Sequence, residues 1–130
     1  MKNDRKFYYC ERCGNLVGMV ESSGVKVVCC GSPMIELEPN TTDAAQEKHV
    51  PVIASRNGDK LTVAIGSVPH PMTDEHHITW IALAQSNRTT RVMLPSTGES
   101  EAEFYLEGGE EAPVTAYAYC NLHGLWAADL

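Results

Sequence analysis

Val50-Pro51-Val52-Ile53-Ala54-Ser55-Arg56-Asn57-Gly58-Asp59-Lys60-Leu61-Thr62-Val63-Ala64-Ile65 sets two short apolar runs, residues 50–53 and 60–65, around an Asn-Gly pair. Asn57-Gly58 suits a tight hairpin turn whose central residues both need positive φ, so the stretch predicts an antiparallel β-hairpin. Outward from it, further short runs at 78–83, 89–94, 102–106 and 114–119 recur at fairly regular spacing, and helical periods are missing. About six or seven short strands in fewer than roughly 90 residues favour an immunoglobulin-like antiparallel β-sandwich over a barrel.

Before this region, Glu36-Leu37-Glu38-Pro39-Asn40-Thr41-Thr42-Asp43 is polar, contains a proline and lacks an apolar period. It reads as a linker over 37–43 between a small lobe, 1–36, and a larger domain, 44–130. The lobe is shorter than the roughly 40 residues below which a core seldom suffices without a metal, a disulfide or a partner. Its apolar stretches at 7–9, 16–20, 25–28 and 34–37 are separated by Gly14, Gly24 and Gly31, which predicts small β-hairpins and an all-β chain.

The 130 residues carry 10 Lys and Arg against 17 Asp and Glu, a formal charge of −7. That balance argues against a nucleic-acid binder that tracks phosphates, while 43% hydrophobic residues suffice for a core. No apolar run approaches the roughly 18 residues of a membrane span, and the start Met1-Lys2-Asn3-Asp4-Arg5-Lys6 leads into no signal-peptide stretch. A soluble, cytoplasmic protein is expected. Its five cysteines would then stay reduced, which favours metal thiolates over disulfides.

Cys10-Glu11-Arg12-Cys13-Gly14 is a C-x-x-C knuckle, with Gly14 letting the backbone turn its amides toward thiolate. Cys29 and Cys30 are adjacent, and neighbours on an extended chain point to opposite faces, so both reach one ion only if the backbone bends sharply there. Four cysteines in two pairs most often mean structural zinc, roughly two to one over iron, and a single iron in the same thiolates would cycle by one electron. The loops are short for a [2Fe-2S] cluster.

A second group lies later. Cys120-Asn121-Leu122-His123-Gly124 joins a thiolate to an imidazole, His49 precedes a strand, and His70 is stiffened by the proline that follows it. His76 is expected to open a strand over 76–80 and to share a face with Ile78, Trp80 and Ala82, leaving His77 as a bystander on the other face. A lone histidine near a strand end is merely exposed or hydrogen-bonded roughly four times in five. Four of them with a cysteine, at the edges and turns of a small β domain, match no packing need. Neutral imidazole suits divalent iron, copper, nickel or zinc alike. Five protein ligands leave an octahedral position open, a residual charge of about +1 attracts anions, and a sulfur, if it lies opposite the opening, donates electron density to a small oxygen species.

These residues resemble a known family, the desulfoferrodoxins, which are the two-iron class of superoxide reductase. The likeness runs from Tyr9-Cys10-Glu11-Arg12-Cys13-Gly14-Asn15 and Val28-Cys29-Cys30-Gly31 through Glu47-Lys48-His49-Val50-Pro51-Val52 and Gly66-Ser67-Val68-Pro69-His70-Pro71-Met72. It ends with residues 76–80 and Tyr119-Cys120-Asn121-Leu122-His123-Gly124-Leu125-Trp126. The lobe alone resembles desulforedoxin and the later part the one-iron neelaredoxins. The resemblance implies a desulforedoxin-like iron held by Cys10, Cys13, Cys29 and Cys30. It implies a catalytic iron with His49, His70, His76 and His123 equatorial and Cys120 axial. Glu47 matches the carboxylate that takes the sixth position after oxidation, and Lys48 matches the cation beside the open face. His77 stands where relatives often carry Trp. Also implied are one-electron reduction of superoxide to hydrogen peroxide without oxygen release, a rubredoxin-like electron donor, a homodimer, and a role in oxidative-stress detoxification.

The residues alone make Lys48 an ordinary solvated lysine about three to one. On a chain of charge −7, however, a cation beside the site would be the local attraction for an anionic substrate. Three rival readings are compatible with the same residues. An electron carrier would gain from a closed coordination shell, a zinc-knuckle binding module would be colourless, and a dismutase would need iron that oxidises superoxide readily, which an electron-rich thiolate resists.

Overall fold

The computed structural model describes residues 1–108 and 112–130 and resolves into two compact units, Arg5–Glu38 and Met1–Asp4 with Pro39–Leu130. In the smaller unit, strand β1 (Lys6–Tyr9) is central, with β2 (Leu16–Met19) and β5 (Ile35–Glu36) antiparallel on either side. Strands β3 (Val28–Cys29) and β4 (Ser32–Pro33) form a separate hairpin. The run expected over 25–28 enters a strand only at Val28, and Val25 is largely in solvent at 76% exposure; ahead of Val28 only the Val27 carbonyl is held, by the Met34 N–H at 2.8 Å.

The larger unit begins its ordered chemistry with a single helical turn, α1 (Gln46–His49), followed by β6 (Pro51–Asn57), β7 (Lys60–Ile65), β8 (Ile78–Gln85), β9 (Arg88–Met93), β10 (Glu101–Tyr105), β11 (Thr115–Cys120) and β12 (Gly124–Asp129). They make two antiparallel sheets, ordered β10-β7-β6 and β12-β11-β8-β9. β7 alternates, burying Leu61, Val63 and Ile65, and β10 likewise buries Ala102 and Phe104 while Glu101, Glu103 and Tyr105 face water. These side chains meet Ile78, Ile81 and Leu83 of β8 and Ala116, Ala118 and Cys120 of β11 in one core. This is the expected all-β sandwich. Among the described residues no helix is long and apolar enough to cross a membrane.

Three local expectations change. The hairpin turn is centred on Gly58-Asp59, since Asn57 pairs with Lys60. Only Gly58 has positive φ there, +65°, so the glycine is the first central residue of the turn and Asn57 stays in the strand. β12 was not expected, because Leu125-Trp126-Ala127-Ala128 has two alanines of low strand propensity; it forms by pairing all along β11, Thr115 with Asp129 through Cys120 with Gly124.

The third change bears on the site. β8 starts at Ile78, so His76 lies in the bend before the strand. Tyr119 faces Trp80 but Cys120 faces Ile78, a β-bulge that leaves Thr79 without an opposite number. The bulge reverses the alternation: Ile78 joins Ile81 and Leu83 in the core, while Trp80 stacks on Tyr119 at 6.1 Å outside it. Ile78 and Trp80 therefore do not share a face, and Cys120 points into the core opposite Ile78.

Met1–Asp4 belong to this larger unit through specific bonds. The Lys2 N–H donates to the Asp129 carboxylate at 3.0 and 3.2 Å, the Asn3 N–H to Thr115 Oγ1 at 3.1 Å, and the Tyr117 hydroxyl to the Asn3 carbonyl at 3.1 Å.

Candidate metal centres

The C-x-x-C knuckle is closed by two backbone bonds, Gly14 N–H to Cys10 O at 2.8 Å and Cys10 N–H to Asn15 O at 2.9 Å, with Gly14 at φ +82°. The second pair is brought in by the β3–β4 hairpin, in which Cys29 pairs with Ser32 and the two turn residues are Cys30 (φ +52°) and Gly31 (φ +75°). Positive φ at both central positions is the geometry natural to tight hairpins, and it supplies the sharp bend that adjacent cysteine ligands require.

The ligating atoms of Cys10, Cys13, Cys29 and Cys30 all lie within 4.8 Å of one another, and Cys13 Sγ is 3.6 Å from Cys29 Sγ. Thiolates at about 2.3 Å from an ion in a tetrahedron would have sulfur–sulfur edges of roughly 3.8 Å. Backbone amides of Cys13 and Arg12 draw the Cys10 thiol down to about 6. Hydrogen bonding to Cys13 and Cys10 pushes Cys29 and Cys30 up. Four sulfurs so close cannot all be thiolates without a cation among them, and the set fits a metal.

At the second site the imidazoles of His49, His70, His76 and His123 form a closed circuit. Successive ring centroids are 4.6, 4.6, 5.1 and 4.9 Å apart and edge to face, while the diagonal from His49 to His76 is 6.4 Å. Those lengths describe a near-square. His49, His76, His123 and Cys120 have ligating atoms within 4.8 Å of each other. His70 falls outside that tightest group, but its Nε2 is 3.2 Å from His49 Nε2. His123 Nδ1 lies 3.1 Å from His49 Nε2 and 3.8 Å from Cys120 Sγ.

Proton placement decides what this square can hold. His49 Nδ1 donates to Ala45 O and His70 Nδ1 to Pro71 O, each at 2.7 Å, since a carbonyl can only accept. Their Nε2 atoms are then bare lone pairs facing one another. His76 Nε2 is buried without any hydrogen-bond partner. Burial lowers the proton affinity of His49, His70 (to about 4) and His76, so protons do not fill the gap. Burial also pushes the Cys120 thiol up, against the pull of the Leu122 and His123 amides. Lone pairs converging with no proton between them call for a divalent cation, and the donor set fits one.

Each ligand is placed by something specific. A helix of one turn does not stand alone. α1 is held where Val68 N–H meets Glu47 O at 2.9 Å and Gly66 N–H meets Val50 O at 3.1 Å. Gly66, at φ +86°, has no room for a β-carbon, which would fall 2.2 Å from Val68 O and 2.8 Å from Glu47 O. Trp126 stacks on the His49 ring at 4.8 Å and donates its Nε1–H to His123 O at 3.1 Å. Gly66 and Trp126 both lie in the motifs read above, yet nothing in the sequence marks them as supports. Glu47 and Lys48 are exposed beside His49, and among the described residues no ion pair engages either. The Lys48 charge reaches His49 and His76 and disfavours their protonation. His77 stands apart, its Nδ1 against Thr73 O at 2.8 Å.

Comparisons with known proteins agree with this geometry. The family model described as desulfoferrodoxin matches residues 41–129, and that described as desulfoferrodoxin, N-terminal domain, matches residues 2–37. A desulfoferrodoxin of Clostridium acetobutylicum is 42% identical over 130 residues, covering all of both chains. The crystal structure of the superoxide reductase from Treponema pallidum is 35% identical, with a TM-score of 0.76 over 96% of this chain and 98% of that one. A superoxide reductase (1Fe-SOR) from Giardia intestinalis is 34% identical, with a TM-score of 0.56 over 65% of this chain and 97% of that one. With sheet, square and sulfurs all in place and both of its segments matched, the chain belongs to the desulfoferrodoxin family.

Proposed function

We propose that this protein is a superoxide reductase with two mononuclear iron sites. The observation that carries the reading is the square of four imidazoles, with the inward Nε2 atoms of His49 and His70 bare, the Nε2 of His76 buried and unpartnered, and the Cys120 sulfur beside them. Cys10, Cys13, Cys29 and Cys30 hold the first iron; His49, His70, His76, His123 and Cys120 hold the second. The balanced reaction takes superoxide, one electron and two protons to hydrogen peroxide. Iron at the second centre supplies the electron.

The chain's own groups do the rest. Lys48 attracts the anion to an otherwise acidic protein and holds water from which a proton is drawn. Glu47, exposed one residue from Lys48, would offer the metal a carboxylate once product has left. The amides of Leu122 and His123 offset the charge on the Cys120 sulfur and so tune its donation. His77, its ring held by Thr73 O, stays outside the ligand set.

Further elements of the reading go with this one. The lobe, without Met1–Asp4, which pack with the larger unit, and the sandwich domain over 44–130 act as separate iron-binding parts joined through 37–43. A rubredoxin-like carrier restores the electron, the chain works as a cytoplasmic homodimer, and its role is removal of superoxide under oxidative stress. The all-β lobe, too short to bury a large core, gains from both metal and association.

The test is superoxide decay by iron-loaded protein held reduced. Peroxide should form stoichiometrically without oxygen, and oxygen release would sink the proposal in favour of dismutation. Aerobically purified protein should be coloured by thiolate-to-iron charge transfer and lose that colour to a chelator. Colourless, zinc-loaded protein from iron-replete cells would point to a binding module.

A further inference from the structure

We infer that Asn121 is a positioning residue for the second centre: its carboxamide fixes the main chain on both sides of His76 and so sets that imidazole against the sulfur of Cys120. The inference rests on the reading of this centre as an iron site.

Strand β11 ends at the ligand Cys120 and β8 begins at its partner Ile78, so the regular ladder stops two residues short of His76. A next antiparallel pair would exchange two backbone bonds. Here the Asn121 N–H does donate to His77 O, at 3.2 Å. The return bond is different: His77 N–H donates to the side-chain Oδ1 of Asn121, at 2.9 Å. A side-chain carbonyl thus stands in for the main-chain one. The main chain after Asn121 is thereby free to turn, and it does so at once, bringing the Leu122 and His123 amides toward the Cys120 sulfur.

The other end of the carboxamide completes the grip. Asn121 Nδ2 donates to Glu75 O at 3.0 Å, so one side chain holds the residues immediately before and after His76. From the inner side, Thr73 closes the same turn, its N–H donating to His76 O at 2.9 Å and its Oγ1 accepting from His76 N–H at 3.1 Å. The Thr79 bulge makes this reach possible by putting Cys120 opposite Ile78. Only a residue with an acceptor and a donor on one short stem serves both carbonyl and amide, which asparagine does and aspartate does not.

The experiment compares the full-length, iron-loaded protein with Asn121→Ala and Asn121→Asp. It follows iron loss from the second centre to a ferrous chelator, the energy of the oxidised centre's sulfur-to-iron band, and hydrogen exchange at the His77 amide. Asn121→Ala should lose iron roughly 10- to 100-fold faster, with the band displaced and the His77 amide deprotected, while first-centre absorption is unchanged. Asn121→Asp keeps the acceptor for His77 and should preserve that amide's protection while losing iron at an intermediate rate. A folded Asn121→Ala protein with iron loss within twofold of the parent and an unmoved band overturns the inference. If Asn121→Ala does not fold, parent-like iron loss in Asn121→Asp overturns it for the Glu75 arm. Failure of the parent to hold iron at this centre would remove the site itself, an outcome that the initial metal titration separates from a failure of Asn121 alone.

Discussion

Cys30 occupies a left-handed backbone position, φ +52°, that costs a residue with a β-carbon about 1–2 kcal/mol. The chain accepts that strain because a two-residue turn that begins at Cys30 itself is what allows neighbouring cysteines to face one ion. Gly66 shows the opposite demand, for no side chain at all. Gly66→Ala should destabilise the protein by at least about 2 kcal/mol, from positive φ and contact with two carbonyl oxygens, as measured by denaturant unfolding. Lys48→Ile should leave both irons bound but slow superoxide capture by about tenfold at low ionic strength. A stopped-flow rate constant that does not change would remove the steering role. Single residues were the most legible part of the sequence, since soft thiolates and clustered imidazoles have few other uses in a small β domain. His76 was preferred over His77 on strand alternation, and the geometry puts His76 in the square for another reason, its place in a bend ahead of the strand.

Elements were legible where burial is one-sided and obscure where it is not. β7 and β10 alternate and could be read, whereas β12 is buried through Leu125, Trp126 and Ala127 and carries no period-2 signal. Bulges have no signature in period counting, so the extra residue at Thr79 was invisible, and with it the change of face along β8. The hairpin of β6 and β7 was recognised, but its turn was placed one residue early because both Asn57-Gly58 and Gly58-Asp59 are turn-forming pairs. In the lobe, the β3–β4 hairpin and the knuckle supply two sulfurs each. Cys13→Ser should therefore alter the first centre's absorption while a folded, second-iron-loaded protein keeps most of its superoxide reduction. Complete loss in such a protein would make the first centre obligatory.

At the level of the whole chain, the larger unit is stapled at its termini. Asp129 accepts from Thr115 Oγ1 at 2.6 Å and from the Lys2 N–H, which hold its carboxyl below the ordinary 3.8. A depressed carboxyl contributes stability above its unfolded pKa and loses it as pH falls through the folded one. Asp129→Asn should lower Tm slightly at pH 7, solvent screening keeping the effect small, and the gap between variant and parent should close as pH falls through the depressed carboxyl pKa, below 3.8. A gap that persists in acid would mean that charge is not the cause. The charge of −7 was readable from composition, but the packing of residues 1–4 with the later domain was not, since Asn3 and Thr115 meet only in three dimensions. The surplus residue at Thr79 carries a consequence for how such a gene can vary. An in-frame loss of one codon there would leave a chain with every candidate ligand present and a sheet better ordered than before, yet with His76 wound out of reach of the square.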